Sequence, residues 1–196
     1  MSDLYHTIRH EGSSQYKEKM SRFLGFSFPV KTAEEARGKV KDIQNEYHDA
    51  RHVCWAYMLG PERKEWQLND NGEPSGTAGK PILGQINSLD VTDVVVIVVR
   101  YFGGIKLGTS GLAEAYREAA REAIEAGEVI ECHDMTDICL TFPYMSADRV
   151  MKIVKGENIE VLDRVFDNSC SMTLRVRKDM SEMLKNRLVS IDGVTI

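Results

Sequence analysis

The sequence has no long hydrophobic segment and no export signal. Its longest purely apolar run, Val94–Val99, is six residues long, whereas a helix that crosses a bilayer needs about 20 residues. The first residues, MSDLYHTIRHEG, lack both the basic start and the apolar core of a secretory signal. We therefore expect a cytoplasmic protein that does not engage a membrane.

Cysteine is scarce, and positive charge is not in excess. The four cysteines form no C-x-x-C pair, so we expect reduced thiols and no metal site: Cys54, Cys132, Cys139 and Cys170. No cofactor is expected, apart from the Mg²⁺ alternative considered below. Lys and Arg number 25 against 30 Asp and Glu, a net charge of −5. This charge argues against a protein that coats nucleic acid through a bulk positive field, but it allows a local basic groove.

Local patterns in the first 130 residues alternate between strand and helix. A capping box, Thr32 with Glu35, predicts an amphipathic helix over 33–47. The β-branched run that opens at Val94 predicts a strand buried on both faces. Aromatic and apolar alternation predicts further strands, the first two joined by a polar connection: 4–10, 22–30, 52–59 and a hairpin partner within 62–68.

Two glycine-rich loops, each leading into a helix, flank the strand that opens at Val94. The first is predicted to hold an anion and to end at a helix over 78–88 capped by Thr77, and its candidate ligands are Ser75, Gly76, Thr77, Gly79 and Lys80. The second is predicted to lead into a helix capped by Thr109 or Ser110 and stopped by Gly127, and its candidates are Arg100, Tyr101, Gly103, Gly104, Lys106, Thr109 and Ser110.

The two helix starts are expected to act together. Exposed amides and the helix dipole favour a phosphate or carboxylate by ~0.3 to 2 kcal/mol. We expect the two loops to meet and to direct Lys80, Arg100 and Lys106 at one shared pocket. Each of these cations has an alternative role as a surface or ion-pair residue.

Candidate catalytic residues are few. Asp70 and Glu73 can hold Mg²⁺ or serve as acid and base, or they can be exposed turn-formers. His52 is a candidate base or a hydrogen-bonded structural residue. The P-loop, dinucleotide and serine-hydrolase motifs do not fit, because Pro74 and Pro81 stand where a P-loop needs Gly and Ser or Thr.

The last third of the chain has a different pattern. Residues 134–196 predict the order β-α-β-β-α-β, which is that of a ferredoxin-like fold, and we expect domains over 1–133 and 134–196. Four basic residues are candidates for an RNA contact on one sheet face, or they belong to a solvated sheet face: Arg164, Arg175, Arg177 and Lys178.

Two sequence blocks resemble the signature of the IMPACT family, in its bacterial branch. These are DNGEPSGTAGKPIL and RYFGGIKLG, the latter followed by Ala115 and Tyr116, and the upstream KMSRFLG and HDARHVCWAY are also similar. The resemblance covers roughly residues 17–120. Ser110 stands where the family usually has a second Gly, and Glu114 stands where an Arg is common. The missing Arg weakens the case for phosphate at this helix start.

The resemblance implies an α/β (α+β) protein. Its N-terminal domain would be similar to the second domain of a small-subunit ribosomal protein, and its C-terminal domain to a domain of elongation factor G. Eukaryotic relatives restrain the amino-acid-starvation kinase pathway by competing for its activator, which implies a role in translation control or stress response. The expected partner is RNA, a nucleotide, the ribosome or a translation-associated protein.

Two other functions fit the same residues. One is a Mg²⁺-dependent phosphate-handling enzyme, with Lys80, Arg100 and Lys106 on the substrate and Asp70 or Glu73 on the metal. The other is a protein-interaction scaffold in which the glycines only allow close backbone packing.

Overall fold

The computed structural model describes residues 4–167 and 169–196. The chain divides into two compact units. We call Tyr5–Cys132 the N-terminal unit and His133–Ile196 the C-terminal unit. The described elements combine helices with strands, so the expected α/β (α+β) fold is confirmed.

The part of the chain up to His133 contains seven of the described strands and three of the described helices. A five-stranded antiparallel sheet has the order β2-β3-β6-β4-β5, and β1 pairs with β7. The elements are β1 (Leu4–Ile8), β2 (Gly12–Glu18), β3 (Ser21–Pro29), α1 (Ala33–Glu46), β4 (His52–Leu59), β5 (Glu65–Asn69), α2 (Gly79–Ser88), β6 (Val94–Tyr101), α3 (Gly108–Ala126) and β7 (Val129–His133).

Helices cover both faces of the five-stranded sheet. In the central strand β6, Val94, Val96 and Val98 pack in the core formed with α2 and α3. The alternate residues Val95 and Ile97 pack in a second core with α1. All six residues of the run are fully buried, which confirms the prediction of a strand covered on both sides.

Three local predictions for this region are wrong. The segment between the first two predicted strands, expected to be a polar connection, is strand β2. Exposed and half-buried positions alternate along β2, and its Tyr16 packs near Phe23 of β3. Pairing with β3 overrides the low strand propensity of these residues. Thr77 does not cap α2, because its hydroxyl donates to the carbonyl of Pro74 at 2.6 Å. Thr109 and Ser110 do not cap α3, because the helix begins at Gly108 and both residues lie inside its first turn.

The C-terminal unit follows the predicted order. Its elements are β8 (Met135–Pro143), α4 (Ala147–Gly156), β9 (Glu160–Val165), β10 (Ser169–Arg177) and α5 (Lys178–Val189). The sheet order is β8-β10-β9, and Thr195 pairs with Thr141 of β8 in an isolated bridge that represents the final strand. Apolar residues from α4 and α5 pack with the strands in a core of their own. In the part of the chain that the structure describes, every helix is too short or too polar to cross a membrane.

Candidate anion-binding site

Strand register places two candidate residues side by side. His52, the first residue of β4, pairs with Arg100 near the end of β6. Because side chains alternate along β6, Arg100 points to the α2 and α3 side of the sheet, as Val98 does. The Arg100 guanidinium lies near two aromatic rings, 5.6 Å from the centroid of Phe23 and 5.6 Å from that of Phe102.

A buried network connects the first loop to this strand end. Arg100 Nη1 donates to Glu73 Oε1 at 2.7 Å, and the Tyr116 hydroxyl of α3 donates to the same oxygen at 2.8 Å. The Glu73 and Arg100 side chains are 3% and 8% exposed. Arg100 Nε is also buried, and it has no hydrogen-bond acceptor among the described residues. Glu73 is therefore an interior ion-pair partner, not an exposed turn residue.

The amides of the first loop are already occupied by a carboxylate of the chain. Asp70 accepts hydrogen bonds from the backbone N–H groups of Gly76 at 2.8 Å, Ala78 at 3.1 Å and Gly79 at 2.8 Å. Burial raises the pKa of the Asp70 carboxyl, but these amides and nearby Lys80 outweigh it and hold the pKa below its usual range. The start of α2 thus binds an internal anion.

The remaining candidates of the first loop do not line the pocket to which the second loop contributes. Lys80 is exposed and lies against Gly76, and Ser75 is exposed as well. Neither residue lines the pocket described next, and Thr77 and Gly79 do not line it either. The pocket that Lys106 lines therefore lacks Lys80, and a site shared by the two lysines stays a prediction. Lys80, in the first turn of α2, helps to lower the pKa of Asp70 through its positive charge.

A pocket of about 340 Å³ opens beside Arg100. Both loops contribute to it, Glu73 and Pro74 from the first and residues 106–109 from the second. Among its described lining residues, three are cationic and one is a carboxylate. The lining comprises Arg51, His52, Glu73, Pro74, Arg100, Phe102, Lys106, Leu107, Gly108, Thr109 and Leu112.

Helix α3 begins in this pocket with its first amides uncapped. The residue before the helix, Leu107, supplies no side-chain cap, and the first turn of the described helix contains no acidic residue. Gly108 and Thr109 line the pocket, whereas Ser110 is exposed and does not. The first N–H groups of a helix carry partial positive charge and favour anions. In the described part of the chain, the N-terminus of α3 therefore lacks a carboxylate partner, whereas Asp70 accepts hydrogen bonds at the N-terminus of α2.

The second loop depends on two adjacent glycines. A Cβ atom on Gly103 would lie 2.0 Å from the carbonyl carbon of Met20, so only glycine fits against the β2–β3 turn. The Gly103 N–H donates to the Ser21 hydroxyl at 3.1 Å. Gly104 has φ = +90°, a conformation that side chains disfavour. Close packing and a left-handed turn therefore shape the loop that presents Lys106.

Tyr101 is not part of the site. It lies on the α1 face of the sheet, opposite Arg100, where its hydroxyl donates to Asp49 at 2.7 Å. The Arg22 guanidinium lies 5.0 Å from its ring centroid. The prediction that Tyr101 contacts an anion beside Arg100 is wrong, because consecutive strand residues point to opposite faces.

The two candidate carboxylates, Asp70 and Glu73, are already engaged by groups of the protein. Asp70 is held by three amides and Glu73 by Arg100 and Tyr116, so the two carboxylates do not fit a Mg²⁺ site. Within residues 4–167 and 169–196, no group of three His, Cys, Asp or Glu side chains is arranged to hold a metal. The His52 ring Nδ1 lies 3.0 Å from the Asn71 carbonyl oxygen, and the ring also lines the pocket.

Cys54 lies beneath this network as an unreactive thiol. Its Sγ donates to the Asp70 carbonyl at 2.9 Å, and burial raises the pKa of the thiol to about 12. Burial, together with nearby Cys54 and Glu73, also raises the pKa of Tyr116 far above its usual value. Both groups keep their protons at neutral pH, so they stabilise the site as hydrogen-bond donors.

The basic residues of the C-terminal unit do not form a free cationic face. Arg175 binds Asp137 through two hydrogen bonds of 2.9 and 3.1 Å, Arg177 binds Asp179 at 2.8 Å, and Lys178 binds Asp134 at 2.9 Å. Arg164 pairs across the strands with Met172, which points to the core, so it does not join Arg175 on one face. The predicted gathering of all four on one sheet face is wrong.

Several lining residues were not among the candidates from the sequence, and Arg51 and Phe102 are two of them. Arg51 directly precedes β4 and belongs to no recognisable motif. It lines the pocket because its neighbour His52 pairs with Arg100 across the sheet. The exposure of Phe102 could have been predicted from the sequence, because an aromatic residue at a strand end directly before two glycines is hard to bury. It is 55% exposed.

Comparison with known proteins identifies the family. The Impact N-terminal domain family matches residues 19–124, which is more than half of the chain. The chain belongs to the IMPACT family. An IMPACT family member of Haemophilus influenzae (strain Rd) is 32% identical over 172 residues, 87% of this chain and 84% of that protein. The resemblance inferred from the sequence motifs is thus confirmed.

Two further relatives support this membership. The IMPACT family member YigZ of Escherichia coli K12 is 42% identical over 108 residues, 54% of this chain and 53% of YigZ, so the match spans about half of that relative. A crystal structure of a protein described as hypothetical superimposes with a TM-score of 0.73 at 25% identity, over 97% of this IMPACT protein and 93% of the other chain. The bacterial branch and the overall fold are therefore those expected from the motifs.

Proposed function

We propose that this IMPACT-family protein is a cytoplasmic binding protein linked to translation control, and that the pocket at the start of α3 takes a phosphate group of structured RNA on the ribosome. Family membership supports the link to translation, because the motifs imply relatives that regulate translation under starvation. The geometry of the two loops supports the choice of pocket.

The observation that carries the proposal is the difference between the two helix starts. The N–H groups of Gly76, Ala78 and Gly79 are not available to an external anion, because they already donate to Asp70 at 2.8 to 3.1 Å. The α3 start has no such internal carboxylate within the described chain, and its first residues face the pocket. An anion there would gain ~0.3 to 1 kcal/mol from the helix dipole alone.

Charges around the pocket favour the same ligand. Glu73 is neutralised by Arg100, which leaves the charges of Arg51 and Lys106 to act on a ligand. Glu114, which stands where an Arg is common in the family, forms an ion pair with Arg117. The whole chain carries −5, so the pocket is a local basic site. A ligand oxygen at this place would also supply an acceptor near the buried Arg100 Nε.

Binding fits these contacts better than phosphate chemistry does. A Mg²⁺-dependent enzyme needs carboxylate oxygens that are open to the metal, whereas both oxygens of Asp70 and Oε1 of Glu73 accept hydrogen bonds inside the protein. A scaffold without ligand would need no basic pocket. Loss of stability without loss of binding in pocket variants would favour the scaffold.

The test is binding to purified ribosomes and to an RNA hairpin between roughly 50 and 200 mM salt. Wild type should bind with a salt-dependent affinity, and Arg51→Ala and Lys106→Ala should each lower the log–log salt slope by about 1. Lys80→Ala is the matched control, because Lys80 is an exposed cation outside the pocket. Equal losses in all three variants, or salt-independent binding, would overturn the choice of pocket.

A nucleotide and phosphometabolite thermal-shift panel with and without Mg²⁺ addresses the enzyme. A Mg²⁺-dependent shift that Asp70→Asn abolishes would favour catalysis over binding, since ligands stabilise the folded state by mass action. We expect shifts that do not depend on Mg²⁺.

A further inference from the structure

The pocket carries an exposed aromatic ring beside its cations. Phe102 lines the pocket and is 55% exposed, although large aromatic side chains usually bury most of their surface. The Arg100 guanidinium lies 5.6 Å from its ring centroid. Arg100 is itself fixed by Glu73, so the ring rests on a buried and rigid support. The rest of the ring surface is available to a flat ligand.

An aromatic ring next to cationic side chains suits a nucleotide, because the ring can stack on the base and the cations can bind the phosphate. Bases stack on aromatic side chains irrespective of sequence, because every base has a π-face. Phosphates bind Lys, Arg and helix N-termini. In this pocket the ring of Phe102 and the charges of Arg51 and Lys106 line one cavity.

We propose that the pocket binds one nucleotide unit, with the base stacked on Phe102 and the phosphate held by Arg51, Lys106 and the first amides of α3. The inference rests on the proposed anion pocket, and it adds recognition of a base to recognition of a phosphate. Its ligand is either a mononucleotide or a single unpaired nucleotide within RNA, because both present the same groups.

The size of the cavity favours a single unit. A volume of about 340 Å³ lies at the lower end of small-ligand pockets, which range over ~300 to 1,000 Å³. A duplex keeps its bases stacked on each other, so only an unpaired base can reach the ring. The pocket therefore selects unpaired nucleotides over base-paired ones.

The test compares four probes by isothermal titration with the full chain: AMP, adenosine, inorganic phosphate and a five-nucleotide oligoadenylate. AMP or the oligonucleotide should bind more tightly than inorganic phosphate. Phe102→Leu should weaken that binding roughly 5- to 150-fold, the range for loss of one stacked base, while leaving phosphate binding unchanged. Phe102→Trp should retain the affinity of wild type. Trp66→Leu is the matched control, because Trp66 is 53% exposed and does not line the pocket.

The outcomes separate this inference from the proposed function. Ribosome binding that requires Lys106 but not Phe102 would overturn base stacking and leave the translation-linked role in place. Binding of AMP that requires Phe102, without any ribosome binding, would support the inference and overturn the role on the ribosome. Tighter AMP than oligonucleotide binding identifies the mononucleotide as ligand, and the reverse identifies RNA. Should Phe102→Leu not fold, AMP-induced NMR shifts of the Phe102 ring in wild type decide, and their absence overturns the inference.

Discussion

Arg100 Nη1 lies 2.7 Å from Glu73 Oε1, and both side chains are more than nine-tenths buried. This ion pair joins the first glycine-rich loop to the end of β6, and Tyr116 adds a hydrogen bond from α3 to the same oxygen. Three elements that are far apart in the sequence therefore meet at one carboxylate. The pair fixes the wall of the pocket and withdraws Glu73 from any ligand.

Glu73→Gln should strongly destabilise the N-terminal unit. It leaves the Arg100 charge buried without a counter-charge, which typically costs ~3 to 5 kcal/mol. Urea denaturation gives the free energy of unfolding. The double variant Glu73→Leu with Arg100→Met should lose less free energy of unfolding than Glu73→Leu and Arg100→Met lose together as single variants. Glu114→Gln, which breaks an exposed pair with Arg117, is the control and should stay within ~1 kcal/mol of wild type. A Glu73→Gln variant as stable as that control would contradict the buried pair.

Asp70→Asn should lower stability by ~1 kcal/mol at pH 7, because it weakens the cap of α2. The pKa of Asp70 is lowered in the folded state. Its ionised form therefore stabilises the fold fully above the unfolded pKa of about 3.9, and this contribution is lost as the pH falls through the folded value. The stability difference between wild type and Asp70→Asn should be constant from pH 7 to about 5 and should shrink below pH 3.9. A difference that grows on acidification would refute the role of the ionised carboxylate.

Gly103→Ala should destabilise the protein by ~1 to 3 kcal/mol, since its Cβ would overlap the Met20 backbone, which cannot move as a flexible side chain would. Thermal melting reports the loss. Gly84→Ala is the matched control: Gly84 lies within α2, and the place that a Cβ would take there is open space, so alanine should stabilise the helix by ~0.4 to 1 kcal/mol. Similar melting temperatures for the two variants would show that the loop does not need a glycine at 103.

Cys54 should resist alkylation while Cys139 reacts. Burial raises the pKa of Cys54 to about 12, so almost none of it is thiolate at pH 8, and the residue is buried. Cys139 is exposed on β8. Iodoacetamide labelling of the native protein followed by peptide mass spectrometry measures both. Labelling of Cys54 at the rate of Cys139 would mean that the network around Tyr116 opens readily.

Periodicity predicted most of the fold, because apolar spacing determines which face of an element is buried. The β6 run has this signal and is buried as predicted, and on α3 the residues Leu112, Ala115 and Ala119 recur at helical spacing and are buried as well. Strand β2 has no such signal, since it lies at the edge of the sheet and polar residues occupy its exposed positions. Its pairing with β3 determines its conformation, and such pairing cannot be deduced from the residues of β2 alone.

The candidate site was only partly predictable for the same reason. The glycine-rich composition correctly located two loops that contribute to one pocket. Composition does not say which anion a loop binds. The sequence therefore did not predict that Asp70, six residues before Gly76, would itself accept the hydrogen bonds of the loop amides. Alternation along β6 would have excluded Tyr101 as a neighbour of Arg100. Arg51 enters the pocket through cross-strand register, which a single sequence does not reveal.

The carboxylate of Asp70 is tethered to the loop that it occupies. A tethered group has a high effective concentration, so a solute that competes for the same amides must first displace it. The amides that Asp70 occupies in the first loop therefore need no external anion. If the start of α3 binds an anion as proposed, occupancy there would rise with the concentration of that anion, whereas the Asp70 contacts would stay the same.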